Sequence, residues 1–275
     1  MSDPARTVPN RNLPVFRTIE EGLAALRPAW LSVIKLFLVV LMLQIALDLI
    51  PALALGTPSQ ILGASTPVPI QQPGELPLRV LRALVSILLY INLLIIAARL
   101  VLYGEAPTIA GLFRWGRRQW RLLGTLVIIG VAAAAPGFVG AFLTPALGPF
   151  LASPAAVLAF LAIYVACWLW AAGWLLFVVP IVAADDPAPV LDRAWRLSAG
   201  NRSRLMGIPA AIAFALLILI GAIQLFATFF NLEPLPLGIP TYPLAVLTLQ
   251  AVYAVYAAAG AVAYRRLTGQ TAGAA

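Results

Sequence analysis

Eight arginines fall in two short connectors between apolar runs: Arg114, Arg117, Arg118 and Arg121 in one, Arg193, Arg196, Arg202 and Arg204 in the other. Clustered guanidinium groups beside apolar segments attract anionic lipid head groups. These eight are therefore the candidate head-group contacts. A second candidate is an ion pair. Asp48 is the one acidic residue inside an apolar run of spanning length, and an ionised carboxylate there is costly without a partner. The next run opens with Arg79 and Arg82. If the two runs form a hairpin, Asp48 meets Arg82, or failing that Arg79, as a structural pair or as a proton or ion site. Convergent acid–base or metal chemistry has little to draw on. The chain has no histidine, its single cysteine, Cys167, lies inside an apolar run, and Asp185-Asp186 has no acidic partner set for a magnesium ion. There is no Walker-type glycine loop, no G-x-S-x-G elbow and no zinc motif. The residues predict no enzyme, no cofactor and no metal.

The elements that must position these residues are membrane helices. Hydrophobic residues make up 62% of the 275-residue chain and charged ones 10%, against about 25% charged in soluble domains. Six runs are long enough to cross roughly 30 Å of hydrocarbon: 29–53, 79–103, 122–143, 155–183, 205–230 and 243–265. The connectors alternate. Those carrying the arginines are basic, whereas Thr144–Pro154 and Leu232–Pro243 hold no basic residue. Because Lys and Arg resist translocation, the basic connectors and both termini are expected in the cytoplasm. All 18 basic residues except Arg79 and Arg82 then share that side, so the net charge of +8 points to a membrane surface and not to nucleic acid. The polar first 28 residues do not resemble a secretory signal.

Apolar spacing of three and four recurs before the spans, in Val15, Phe16, Ile19, Leu23 and Leu26, in Ile109, Leu112, Phe113, Trp120 and Leu123, and in Val190, Leu191, Ala194 and Trp195. This predicts three amphipathic helices in the interface, with a helix packed on the bundle as the alternative. The architecture expected is all-α, six transmembrane helices arranged as three interfacial-helix-plus-hairpin units. Its parts are a cytoplasmic segment 1–28, a transmembrane domain 29–267 and a tail 268–275. Arg121-Leu122-Leu123-Gly124 against Arg204-Leu205-Met206-Gly207 is the one echo of a repeat in residue identity. Residues 56–77, with five prolines, read as an extended external loop. Pro136, Pro180 and Pro209 read as kinks or helix boundaries. Gln44, Asn92, Gln224 and Gln250 read as hydrogen-bonding glue between helices, and Tyr253, Tyr256 and Tyr264 as packing residues beside Ala257, Gly260 and Ala261.

Three stretches carry a family resemblance. Val179-Pro180, Asp185-Asp186, Ala194-Trp195-Arg196-Leu197-Ser198, Gly200-Asn201-Arg202 and Arg204-Leu205-Met206-Gly207 make up the first. Leu102-Tyr103-Gly104-Glu105 to Arg117-Arg118-Gln119-Trp120 is the second, and Tyr264-Arg265-Arg266-Leu267-Thr268-Gly269-Gln270 the third. Together they resemble bacterial six-span inner-membrane proteins of unknown function and the membrane domain fused to some glycerophosphodiester phosphodiesterases. The resemblance implies an architecture and an inner-membrane location. It implies no reaction, since this chain has no phosphodiesterase domain. The expectation is a non-catalytic integral membrane protein that binds anionic lipid, a partner membrane protein or a second copy of itself. A small-solute transporter is the alternative, and a lipid-modifying enzyme a more distant one.

Overall fold

An apolar run in lipid must satisfy its backbone polar groups internally, and every regular element among the described residues is helical. The computed structural model describes residues 13–54, 75–132, 154–229 and 241–269. Helix α1 (Val15–Leu26) turns through a short 3-10 segment (Arg27–Ala29) into α2 (Trp30–Ala54). Then come α3 (Glu75–Tyr103), the single turn α4 (Ile109–Leu112) and α5 (117–132). The remainder are α6 (Pro154–Leu175), α7 (Val178–Ala183), α8 (Val190–Ser198), α9 (Arg202–Phe229) and α10 (Thr241–Thr268).

Among the described residues, five stretches are long and apolar enough to cross a membrane: Val15–Leu47, Val80–Tyr103, Tyr164–Ala183, Arg202–Leu219 and Val246–Thr268. They match five of the six expected spans. The other, 122–143, is helical through residue 132, and the rest of it lies outside the described residues together with Pro136. The loop expected at 56–77 falls largely outside them too, and α3 already begins at Glu75.

Helix α10 is the central element, packed against α1, α2, α3 and α7, while α9 lies along α6. Small residues set these approaches. Ala257, Ala258, Ala259, Ala261 and Ala263 on α10 are all fully buried. A Cβ on Gly173 of α6 would come within 2.9 Å of the Met206 backbone nitrogen on α9. The sharpest case lies at the break between α6 and α7. Pro180 has no N–H, so the Leu176 carbonyl loses its helical donor. Gly260 of α10 faces that carbonyl so closely that a Cβ on residue 260 would collide with the Leu176 oxygen. One turn earlier the Tyr256 hydroxyl donates to the Ala172 carbonyl at 2.6 Å. Pro180 thus marks a helix boundary, as its residue type suggests, and α10 fills the gap. Pro209, by contrast, lies inside α9, which continues to Phe229.

Helix α1 lies against the bundle. It packs on α10, α9 and α3 through Thr18 and Gly22, both buried, and a Cβ on Gly22 would lie 3.0 Å from the Ala259 nitrogen. Phe16 and Leu23 remain exposed on its outer face. The polar span residues go to separate places. Gln44 Nε2 donates to Ser86 Oγ at 3.0 Å, joining α2 to α3. Asn92 Nδ2 donates to the Leu112 carbonyl at 3.0 Å, joining α3 to α4. Gln250 is fully buried, yet neither amide atom has a partner among the described residues. The Gln224 and Asp48 side chains lie outside the described residues, as does that of Arg79, so the Asp48–Arg82 pair is a matter for mutagenesis.

Candidate functional site at the basic end of the bundle

The ends of α3, α7 and α10 meet the start of α5 and both ends of α8, and there the arginines gather. Their first task is closing helix ends, whose last carbonyls have no helical donor. Arg99 Nη1 donates to the Ala183 carbonyl at 2.9 Å, and Arg265 Nη1 to the Val101 carbonyl at 3.1 Å. Arg121 Nη2 donates to the carbonyls of Asp186 and Ala188 at 2.8 and 3.0 Å. The turn after α7 is a Schellman closure. The Asp186 N–H bonds the Ile181 carbonyl and the Asp185 N–H the Val182 carbonyl, both at 3.1 Å. The left-handed position, φ 54°, is taken by Asp185, where glycine is usual. A non-glycine residue held there at modest strain marks a place where its side chain is used.

That side chain turns to Arg118, whose Nε donates to Asp185 Oδ2 at 2.7 Å. The hydrogen bond from Arg118 holds the Asp185 carboxyl below its ordinary range. Glu105 forms a forked pair with Arg99, with Arg99 Nε donating to Oε2 at 2.6 Å, and this hydrogen bond lowers the carboxyl of Glu105 likewise. Asp186 accepts from Arg193 Nε and from the Tyr264 hydroxyl, each at 3.1 Å, and from the Ala188 N–H at 3.0 Å. The two adjacent aspartates therefore part to different arginines and do not converge as a metal ligand set. Nearby, Arg202 stacks 3.8 Å over the Trp195 ring, which packs edge-on against Trp170 and Trp174. Arg196 pairs with Asp192 one turn away. Arg266 and Arg17 both reach Glu21, which ties α10 to α1.

Between these groups lies a cavity of about 740 Å³, walled by Arg99, Arg114, Arg117, Arg118 and Arg121 with Glu105 and Asp185. Asn92 and Gln119 close its floor, with Gln119 Nε2 donating to Asn92 Oδ1 at 2.9 Å. Arg114 and Arg117 donate no hydrogen bond to a protein group among the described residues, and both are exposed, although the charge of Arg114 helps to lower the Glu105 carboxyl. The residues beside the cavity are apolar and outward-facing: Ile109 is 48% exposed, Phe113 62% and Trp120 62%.

Of the eight arginines singled out by sequence, four thus line one cavity, Arg114, Arg117, Arg118 and Arg121. The others lie apart: Arg193 on Asp186, Arg196 on Asp192, Arg202 on Trp195, and Arg204 exposed on the first turn of α9. Sequence reasoning missed Arg99 and Glu105. The available signal was an arginine in the last two turns of an apolar span, with a glutamate directly after Gly104. Glu105, Arg118, Asp185, Asp186 and Tyr264, from three separate stretches of the chain, converge here. No protein-family model matches the chain, and no curated protein and no solved structure matches it either.

Proposed function

We propose that this protein is a non-catalytic integral membrane protein that holds anionic lipid at its arginine-rich end. The observation that carries the reading is the gathering of arginines from two connectors and from the ends of α3 and α10 at one end of an apolar bundle, with Phe113, Trp120 and Trp195 exposed among them. Exposed aromatics beside cations suit the head-group layer, where each Lys or Arg contributes about 1 kcal/mol against an anionic surface. The separate hydrogen-bond partners of Gln44 and Asn92 fit a packed bundle better than a solute pathway through its middle. In this reading the stretch 122–143 completes a sixth span, both termini and the basic connectors are cytoplasmic, and the membrane is a bacterial inner membrane, in line with the family resemblance. A partner membrane protein or a second copy would bind the same end or the bundle surface.

Two measurements test this. Gentle extraction followed by lipid analysis should recover acidic phospholipid enriched over the bulk membrane and released by salt. A protein that retains only bulk lipid and carries solutes into liposomes would replace the reading with a transporter. Orientation is tested in a Cys167→Ser background with single cysteines at Ser65 and at Ala110, an exposed site chosen because Gln119 is buried. An impermeant maleimide on spheroplasts should label position 65 only. Labelling at 110 alone would invert the topology.

A further inference from the structure

We propose that the arginine-walled cavity is a site for a single terminal phosphate group, as a monoester or as the free ion, a deeper statement of the anionic-lipid reading on which it rests. Five arginines face two carboxylates across about 740 Å³, leaving three positive charges in excess within a concave wall. Clefts lined by one sign of charge focus the field and concentrate counter-ions. A phosphate monoester carries about −1.5 to −2 charges at neutral pH with three strong acceptor oxygens. It therefore offsets most of the excess, which a singly charged diester does not. The donors are also of the right kind, since guanidinium forks match phosphate oxygens two at a time.

The arginines divide into two groups. Arg99 and Arg118 are fixed by Glu105 and Asp185, which keeps them extended across the cavity wall. Arg121 uses only Nη2 on backbone carbonyls, which leaves its Nε and Nη1 donors for a ligand. Arg114 and Arg117 are exposed and have all their donors free of protein hydrogen bonds among the described residues, Arg114 acting on Glu105 only through its charge. The cavity is thus a preformed wall with two or three arginines left to close on an anion. Its floor is different in kind. Asn92 spends both amide hydrogens on the Leu88 and Leu112 carbonyls, and Gln119 Oε1 accepts from the Gly116 N–H at 3.0 Å. The floor holds shape while the arginines bind.

The phosphate has two possible sources, a lipid head group such as that of phosphatidic acid or a free phosphate ion. Exposed Ile109, Phe113 and Trp120 beside the cavity set it in the head-group layer, within reach of either. The test uses the full-length protein in nanodiscs of neutral lipid doped with phosphatidic acid or with phosphatidylglycerol, read by the amount of each retained per protein. A second arm titrates inorganic phosphate against the phosphatidic acid discs. The variants are Arg114→Gln with Arg117→Gln, which break no described protein hydrogen bond, and Arg196→Gln with Arg204→Gln, which lie outside the cavity.

Wild type should retain phosphatidic acid at least about tenfold over phosphatidylglycerol, the scale of one or two charge-assisted hydrogen bonds. The cavity pair should abolish that ratio, and the outer pair should leave the ratio intact while weakening both lipids together. Competition by millimolar phosphate assigns the site to the free ion, and its absence assigns it to the lipid; either outcome supports a phosphate site when the cavity pair removes it. Equal retention of the two acidic lipids, or the same loss of ratio in both variant pairs, overturns the cavity proposal and leaves general anionic-lipid binding standing. Failure to prefer any acidic lipid overturns the broader reading instead.

Discussion

The basic end and the crossing of α10 with α6 and α7 hold helices together by opposite means. At the crossing, contact is made by what side chains lack: Gly260 has no Cβ and Pro180 has no N–H, just as Gly22 of α1 lets that helix close on Ala258 and Ala259 of α10. At the basic end, contact is made by long side chains that reach across several ångströms to carbonyls and carboxylates. Close packing tolerates no added atom. A polar network can lose one partner and be partly replaced by water or lipid head groups. The two regions should therefore differ sharply in how they respond to mutation, pH and salt.

The largest effect is expected at the crossing. Gly260→Val should cost about 3 kcal/mol or more, since overpacking against backbone cannot relax by a side-chain move. Gly124→Ala on α5, where nothing lies within 4 Å of the added methyl, serves as the control and should be near neutral or stabilising. Thermal unfolding in a mild detergent reads both, and comparable Tm values for the two would remove the close-packing argument.

Next comes the Asp48–Arg82 pair expected from the sequence. Asp48→Asn and Arg82→Gln should each destabilise, and the double variant should recover part of the sum, with a coupling of about 1 kcal/mol. Strict additivity would separate the two residues.

The basic end should show its weakness in acid. The carboxyls of Glu105 and Asp185 titrate lower in the folded protein than in the unfolded chain, held down by Arg99 and Arg118. Their contribution is fully present above the unfolded values, about 4.3 and 3.9. It fades as pH falls through the lower folded values. Both groups are partly exposed, so solvent screens the pairs and the effect is small. Glu105→Gln with Asp185→Asn should flatten the loss of Tm between about pH 5 and 3, Asn being chosen because it tolerates the left-handed backbone. An unchanged acid profile in the double variant would show that these pairs do not stabilise the end. The smallest effect belongs to Gln44→Leu. Removing the bond to Ser86 should cost about 0.6 kcal/mol by chemical denaturation, and a cost several times larger would mean that Gln44 has a further role.

Much of this molecule could be read from residue order. Apolar runs with arginines only in alternate connectors dictated helices and their lengths, because a bilayer leaves the backbone no other way to satisfy its hydrogen bonds. Five runs overlap helices of spanning length, the first of which starts at Val15 and so takes in the segment expected as an interfacial helix, and Pro180 marks a helix end. Asn92 as a bridge between helices was legible too, since a buried amide needs partners. The identity of those partners was not, because they lie on α4 and α5, and a pattern along one helix carries no record of its neighbours. The same limit applied to α1. Its 3–4 apolar spacing suits an interface and a bundle equally, and only the tertiary structure brings Gly22 against Ala259 of α10.

What the sequence determined alone was class, helix content and the position of charge along the chain, because these follow from local hydropathy and from the cost of burying backbone and charge in lipid. The tertiary structure decided which charges meet. Arg99 with Glu105, Arg118 with Asp185 and Tyr264 with Asp186 are separated by 6, 67 and 78 positions. Such pairings depend on the helix ends being brought together by alanine and glycine contacts deeper in the bundle. The cavity at the basic end is a product of that packing.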